Sequence, residues 1–159
     1  MRHAYLVLPA GEWPTEECRG TVTLAYEERH RRRIRLTTDT GEDVLLDLSR
    51  ATVLRDGDGL MVEEGGYVAV RAAQEDLVEV TAPTSEHLAR LAWHIGNRHF
   101  PAEILPDCIR IRDDHVLVDM VRGLGGAVRR LRASFNPEGG AYESHGHAHG
   151  HDHEHHHDH

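Results

Sequence analysis

The chain has only two cysteines in 159 residues, Cys18 and Cys108, far apart and each without a partner at metal-site or redox-motif spacing. They are expected to be reduced structural thiols. No apolar run approaches the roughly 20 residues needed to span a bilayer. The opening Met1-Arg2-His3-Ala4-Tyr5-Leu6-Val7-Leu8-Pro9 has neither a full-length apolar signal region nor a small-residue cleavage site. The expectation is a cytoplasmic chain with no membrane partner. Positive charge is also scarce: 18 Lys and Arg face 27 Asp and Glu, a formal net charge of -9. Affinity for phosphate backbones depends on a surplus of Lys and Arg, so no nucleic-acid partner is expected. One basic cluster departs from this balance, Arg29-His30-Arg31-Arg32-Arg33 with Arg35. It fits a strand edge with solvated side chains, and alternatively a docking patch for an acidic protein.

Hydrophobic residues make up 39% and charged residues 28% of the chain, which gives the part before about Tyr142 an ordinary globular balance. The length suits one domain or two small ones. From Gly20 to about Val70, β-favouring runs alternate with turn signals. Thr21–Tyr26, Ile34–Thr37, Val44–Leu48 and Tyr67–Val70 are separated by Asp39-Thr40-Gly41, Asp56-Gly57-Asp58-Gly59 and Gly65-Gly66. That pattern predicts a small all-β domain. The period then changes. Leu77–Val80 is a strand candidate, and Leu88, Leu91, Ala92 and Ile95 share one face of a helix over Thr84–Ile95, with Thr84 or Ser85 as N-cap and Glu86 in the first turn. Cys108–Arg112 predicts a strand. A second helix, capped by Asp113 or Asp114, carries Leu117, Met120, Val121 and Leu124 and ends at Gly123, Gly125 and Gly126. Val128–Phe135 supplies a closing strand. The order suggests an α+β, ferredoxin-like split βαβ unit whose fourth strand comes from Phe100–Leu105 or from Ala72–Gln74. The predicted division is 1–74, 75–142 and a tail, 143–159.

From His145 to His159 the tail has nine histidines in fifteen residues, interleaved with Gly, Ala, Asp152, Glu154 and Asp158. It has no aliphatic side chain larger than alanine, so it cannot bury enough apolar surface to offset ordering and is expected to be disordered without a ligand. An artificial affinity tag is normally an uninterrupted histidine run, whereas this interleaving points to a native segment. Neutral imidazole suits Ni(II), Zn(II), Cu(II) and cobalt better than magnesium or calcium. His145, His147, His149, His151 and His153 are therefore candidate ligands. Flexible ligands supply little selectivity, and affinity for such a tail follows the Irving-Williams order.

Four histidines fall in the second predicted domain: His87, His94, His99 and His115. Taken singly, His87, His94 and His115 fit structural or capping roles as well as ligation. His94 and His99 are five apart, which on a continuous helix would turn them about 140° from each other and prevent chelation. His99 becomes a ligand in a two-fold dimer, where an isologous interface sets the same residue of both chains beside the axis.

The run His94-Ile95-Gly96-Asn97-Arg98-His99-Phe100-Pro101 resembles the signature of the UreE family of urease accessory proteins, which are nickel metallochaperones. Asp114-His115-Val116-Leu117-Val118-Asp119-Met120 is similar to that family's second helix, Phe135-Asn136-Pro137-Glu138-Gly139-Gly140-Ala141-Tyr142 to its exit segment, and Arg50 through Asp58 to a turn region. The resemblance implies a β domain like the peptide-binding module of Hsp40 chaperones, followed by a ferredoxin-like domain that binds metal and forms a homodimer. It implies that His99 lies at the dimer axis sharing one Ni(II), that His145 and His147 complete that site, and that His115 matches a peripheral histidine. The His-x-His pair of some relatives is Asp113-Asp114-His115 here. The implied recipients are the urease accessory GTPase and the apo-urease complex. Rival expectations are nickel or zinc storage through the tail, an Hsp40-like peptide binder, and a metal-dependent hydrolase around His99. The hydrolase lacks an evident general base, since Glu103 and Asp107 lie in a polar segment.

Overall fold

The computed structural model describes residues 1–139, so residues 140–159, with every tail histidine, lie outside the described residues. In chain order the strands are β1 (Arg2–Leu8), β2 (Cys18–Leu24), β3 (His30–Thr37), β4 (Asp43–Val53), β5 (Gly59–Val62), β6 (Tyr67–Ala72) and β7 (Gln74–Thr81). Helix α1 (Ser85–Asn97) follows, then β8 (Glu103–Ile104), β9 (Ile109–Arg112), α2 (His115–Gly123) and β10 (Ala127–Ser134).

Strands β1 to β6 form one sheet in the order β2-β6-β5-β1-β4-β3, with β1 parallel to β4 and β2 parallel to β6. Its inward face follows the period of two. On β4, Val44, Leu46 and Leu48 are buried while Asp47 is exposed. The sheet curls until its outer strands approach. Asp39, in the turn between β3 and β4, donates its backbone N–H to Thr21 O of β2 at 2.8 Å. Val22 and Leu24 of β2 therefore share one core with Leu36 of β3 and the β4 residues.

Strands β7 to β10 form a second, wholly antiparallel sheet in the order β10-β7-β9-β8. Numbered within this half, the order is 4-1-3-2, the split βαβ arrangement of a ferredoxin-like unit. Val78, Val80, Ile109 and Ile111 pack on Leu91 and Ile95 of α1 and on Leu117, Val118 and Val121 of α2. Thr84 caps α1 by accepting from His87 N at 3.1 Å, and Asp114 caps α2 by accepting from Val116 N and Leu117 N. Past α2, Gly125 turns the chain with φ +84, and Gly126 sits where a Cβ would lie 2.6 Å from Val121 and 2.9 Å from Leu91. Only a hydrogen fits there.

The α+β class, both helices and the late strands agree with the sequence. Two readings change, one unassigned segment is placed and one open alternative resolves. Arg2–Leu8 is a strand inside the first sheet, although its residues show no polar alternation, since Ala4 is fully buried while Tyr5 and Leu6 are half exposed. Gly59–Val62, whose start had the character of a turn, is β5, because the Trp13 ring covers the flat surface that Gly59 leaves. The fourth strand of the second sheet comes from Phe100–Leu105, and Ala73 instead joins β6 to β7 and donates to Leu24 O. Leu124 lies past the end of α2 and is exposed.

The basic cluster divides. Strand β3 is an edge of its sheet, with Arg32, Arg33 and Arg35 exposed and Arg35 paired to Asp43. Arg29, by contrast, is 1% exposed. Its guanidinium lies 5.8 Å from the Tyr26 ring centroid, and Arg112 of the second sheet approaches the same ring at 5.2 Å. Among the described residues no helix is long and apolar enough to cross a membrane.

Gly126→Ala should lower stability by about 1–3 kcal/mol, because the added methyl overpacks the α1–α2 contact. Chemical denaturation checks this, and an unchanged midpoint would show that the turn has room to give.

Candidate metal site

Helix α1 buries Leu91 and Ile95 and half-buries Leu88 and Ala92, so its spacing of apolar residues fixes which face meets the sheet. The helix ends abruptly. Arg98 donates its N–H to Ile95 O at 3.2 Å and His99 donates to Gly96 O at 3.0 Å. Pro101 then disfavours helical geometry at Phe100. The result is a left-handed residue just past the helix, at His99, with φ 61. Among the described residues it is the only non-glycine with positive φ. Glycine would take this conformation without strain, whereas an L side chain there costs about 1 kcal/mol. The imidazole thus leaves the chain at the negative end of the α1 dipole, where a cation is favoured.

His99 is exposed, and so are Trp93 (64%) and Phe100 (37%) on either side of it in sequence. His94 belongs elsewhere. It is half-buried, meets the Trp93 ring edge-on at 5.0 Å, and lines a groove of about 390 Å³ with His87, Arg90, Leu91 and Leu124. His87 bonds Leu124 O through Nε2 at 2.6 Å, which ties α1 to the turn after α2. A different groove, lined by Phe100, Pro101, Glu27, Arg112, Asp113, Asp114 and Leu117, lies beside the His99 segment.

His115 is the first residue of α2 and exposed, at the positive end of that helix's dipole. Its neighbouring carboxylates are engaged: Asp114 caps the helix, and Asp113 accepts from Arg130 Nε at 3.0 Å. Each carboxylate has one oxygen engaged in this way. Burial pushes the Cys108 thiol pKa up and nearby Glu79 pushes it further, which disfavours the thiolate there. Glu103, a carboxylate considered for hydrolysis, accepts Asn136 N at 2.9 Å.

Among the described residues no three His, Cys, Asp or Glu side chains stand close enough to hold a metal ion together. His94, His99 and His115 therefore do not belong to any such cluster, and His145, His147, His149, His151 and His153 lie outside the described residues. One structural feature had no signal in the local sequence: the segment after β10 is fastened beside His99. Glu138 donates its N–H to Ala102 O at 2.8 Å, three residues past His99. Both ends of that bond are backbone, which no side-chain pattern announces.

A family model for the UreE urease accessory protein C-terminal domain matches residues 75–159, and one for the UreE urease accessory protein N-terminal domain matches residues 6–73. A urease accessory protein UreE from Chelativorans sp. (strain BNC1) is 53% identical over 127 residues, covering 80% of this chain and 80% of its own length. One from Bradyrhizobium sp. (strain ORS 278) is 50% identical over 149 residues, covering 92% of this chain and 70% of its own. One from Rhodopseudomonas palustris (strain HaA2) is 50% identical over 127 residues, which is 80% of this chain but only 59% of that relative.

The left-handed backbone at His99 predicts a separation of stability from ligation. His99→Gly should be more stable than His99→Ala by about 1 kcal/mol, because alanine keeps the strained Cβ and glycine does not. Denaturant titration of the two variants checks this, and the reverse order would mean that the loop relaxes in the variants.

Proposed function

The chain belongs to the UreE family of urease accessory proteins, and from that premise we propose that it is a nickel metallochaperone that binds Ni(II) and delivers it to apo-urease during urease maturation. It acts in the cytoplasm as a homodimer and carries out no catalysis of its own. Nickel is its cargo. The urease accessory GTPase and the apo-urease complex are the recipients.

The observation that carries this reading is the bond between Glu138 N and Ala102 O, which roots the histidine tail beside the His99 segment. Three residues separate Ala102 from His99, so the root lies within roughly 14 Å of His99 along the chain, and the seven residues from Glu138 to His145 reach up to about 25 Å. The first tail histidines therefore have the length to meet His99. A single chain contributes one ligand from its described residues, which favours a second copy. Exposed Trp93 and Phe100 give that copy an apolar surface to cover around His99.

In this reading two copies of His99 hold one Ni(II) at the dimer axis, and His145 and His147 fill further positions. His149, His151 and His153 capture ions and pass them inward. Imidazole ligands exchange one at a time, so the ion moves to its recipient without being released to water. Zn(II) and Cu(II) bind the same ligand types, and His94 and His115 serve at most as peripheral ligands. Storage of nickel or zinc is the second reading, favoured by nine tail histidines where one site needs only a few. It predicts capacity that falls in proportion to tail histidines with no effect on urease.

Removing residues 143–159 should abolish urease activation at limiting nickel while sparing it at excess nickel. Full activation at limiting nickel would place the function in the folded body alone. In calorimetry, the tail-less protein should keep one Ni(II) per dimer and lose it with His99→Ala; unchanged affinity in that variant would rule out the axial site. Because only neutral imidazole coordinates, nickel affinity should weaken as acidification protonates the ligands, and pH-independent affinity in calorimetry would rule out imidazole ligation.

A further inference from the structure

Strand β3 is an edge of the first sheet, and its only neighbour in that sheet is β4. Past its C-terminal end the edge is covered, where Asp39 donates its N–H to Thr21 O of β2 and accepts from the Thr21 and Thr23 hydroxyls. From His30 to Leu36, among the described residues, no backbone hydrogen bond reaches the strand from outside the sheet. Ile34 and Leu36 turn into the core, so Arg33 and Arg35 stand on the outer face. The pairing with β4 slips between Arg31 and Arg33. Arg31 lies opposite Thr52 and Arg33 opposite Asp47, so residues 48–51 of β4 stand against Arg32 alone. That bulge brings Arg50 level with Arg31, Arg32 and Arg33, and Arg32, Arg33 and Arg50 are all exposed.

These guanidiniums lack carboxylates in a chain where carboxylates are plentiful, 27 Asp and Glu against 18 Lys and Arg. On the second sheet Arg112, Arg129, Arg130 and Arg132 are each paired with one, and on β3 itself Arg35 pairs with Asp43. Among the described residues Arg31, Arg32, Arg33 and Arg50 make no ion pair, although the register partner of Arg33 is the exposed Asp47. Arg31 Nε is in addition buried with no partner. Guarding an edge against unwanted pairing takes charge but not unpaired charge, as Arg35 with Asp43 shows. Four cations gathered without counter-charge repel one another, and they suit a surface whose anions arrive from outside. Guanidinium takes a carboxylate in two parallel hydrogen bonds, and side chains directly opposite across a strand pair lie about 5 Å apart, within reach of such a pair.

We propose that the free edge of β3 is a docking surface for an extended acidic segment of a partner protein, which adds to the sheet as a further strand and sets its carboxylates on Arg32, Arg33 and Arg50. The edge backbone supplies hydrogen bonds without regard to sequence, and the arginines supply the selection. Nucleic acid, the other polyanion, fits less well. His30–Thr37 includes no Phe, Tyr or Trp on which a base could stack, and a chain of net charge -9 repels a phosphate backbone along the rest of its surface. Each exposed ion pair contributes little alone and is screened by salt, so affinity comes from several acting together and falls with ionic strength. Neither nickel nor His99 enters this inference.

The test titrates the full chain into a fluorescent nonapeptide of alternating Glu and Val and follows anisotropy. Arg32→Gln, Arg33→Gln and Arg50→Gln together should weaken binding about 10-fold at low salt, with the difference gone at about 0.5 M, where screening acts within a few ångströms. A control triple at exposed positions of the second half, Arg90→Gln, Arg122→Gln and Arg132→Gln, removes the same charge and should leave affinity within about 2-fold. Methylating alternate peptide amides should also weaken binding, since an added strand needs them. Because misfolding cannot produce a gain, Arg32→Glu with Arg33→Glu should bind the Lys-for-Glu peptide better than the natural chain does. Equal loss in both triples would overturn the proposal, because net charge alone would then act, and so would absence of peptide binding to the natural chain. Unchanged binding of the methylated peptide would remove strand addition. Tighter binding of a single-stranded oligonucleotide of equal charge would give the surface to nucleic acid instead, and a change in oligomeric state of the arginine triple without loss of peptide would give it to a second copy; either result overturns the proposal.

Discussion

The buried guanidinium of Arg29, with its donors on the Phe135 carbonyl and the Asn136 side chain, is the contact through which the two halves of the molecule and the start of the tail are joined. A guanidinium taken out of water needs acceptors for its protons, and those of its two terminal nitrogens come from the far end of the chain, while its Nε has no partner among the described residues. Burial lowers the Arg29 pKa from its ordinary value while Glu75 raises it, and arginine stays charged regardless. The demand for acceptors is therefore permanent. It places residues 135–138 against the first sheet, while Glu103 and Ala102 hold the same segment against the second.

The second constraint is the end of α1. Its core-facing residues fix the helix against the sheet, and the left-handed turn at His99 then sends an imidazole outward at the negative end of the helix. A strained residue where glycine would be easier points to a side chain kept for its chemistry. An exposed single ligand cannot select or retain an ion alone.

The helices were legible because each carries its own evidence. Leu88, Leu91, Ala92 and Ile95 repeat at helical spacing, and Thr84 and Asp114 stand where caps are needed. The strands with alternating burial, such as β4, were legible for the same reason. β1 was not, since Tyr5 and Leu6 are exposed apolar residues where a surface strand would show polar ones, and β5 begins at a glycine whose missing side chain is replaced by Trp13 from elsewhere in the chain. The two-residue β8 was legible only as one of two alternatives, because so short a strand has no period to detect. Arg29 looked like its neighbours Arg31, Arg32 and Arg33. Its burial depends on partners 106 and 107 positions away.

What the residues alone determined is chemistry and local form: a tail dense in imidazole, two amphipathic helices with their caps, a β-rich first half, and a motif around His99 specific enough to indicate a family. These follow from side-chain identity and from contacts within a few residues, which a linear reading contains. Tertiary structure alone decided which arginine of a basic run is buried, that Asp113 beside His115 is paired with Arg130, and that the backbone of Glu138 is bonded next to the His99 segment. Those are long-range contacts, one of them between backbone atoms common to every residue type, and only the closed packing of two cores brings them within a hydrogen bond's reach.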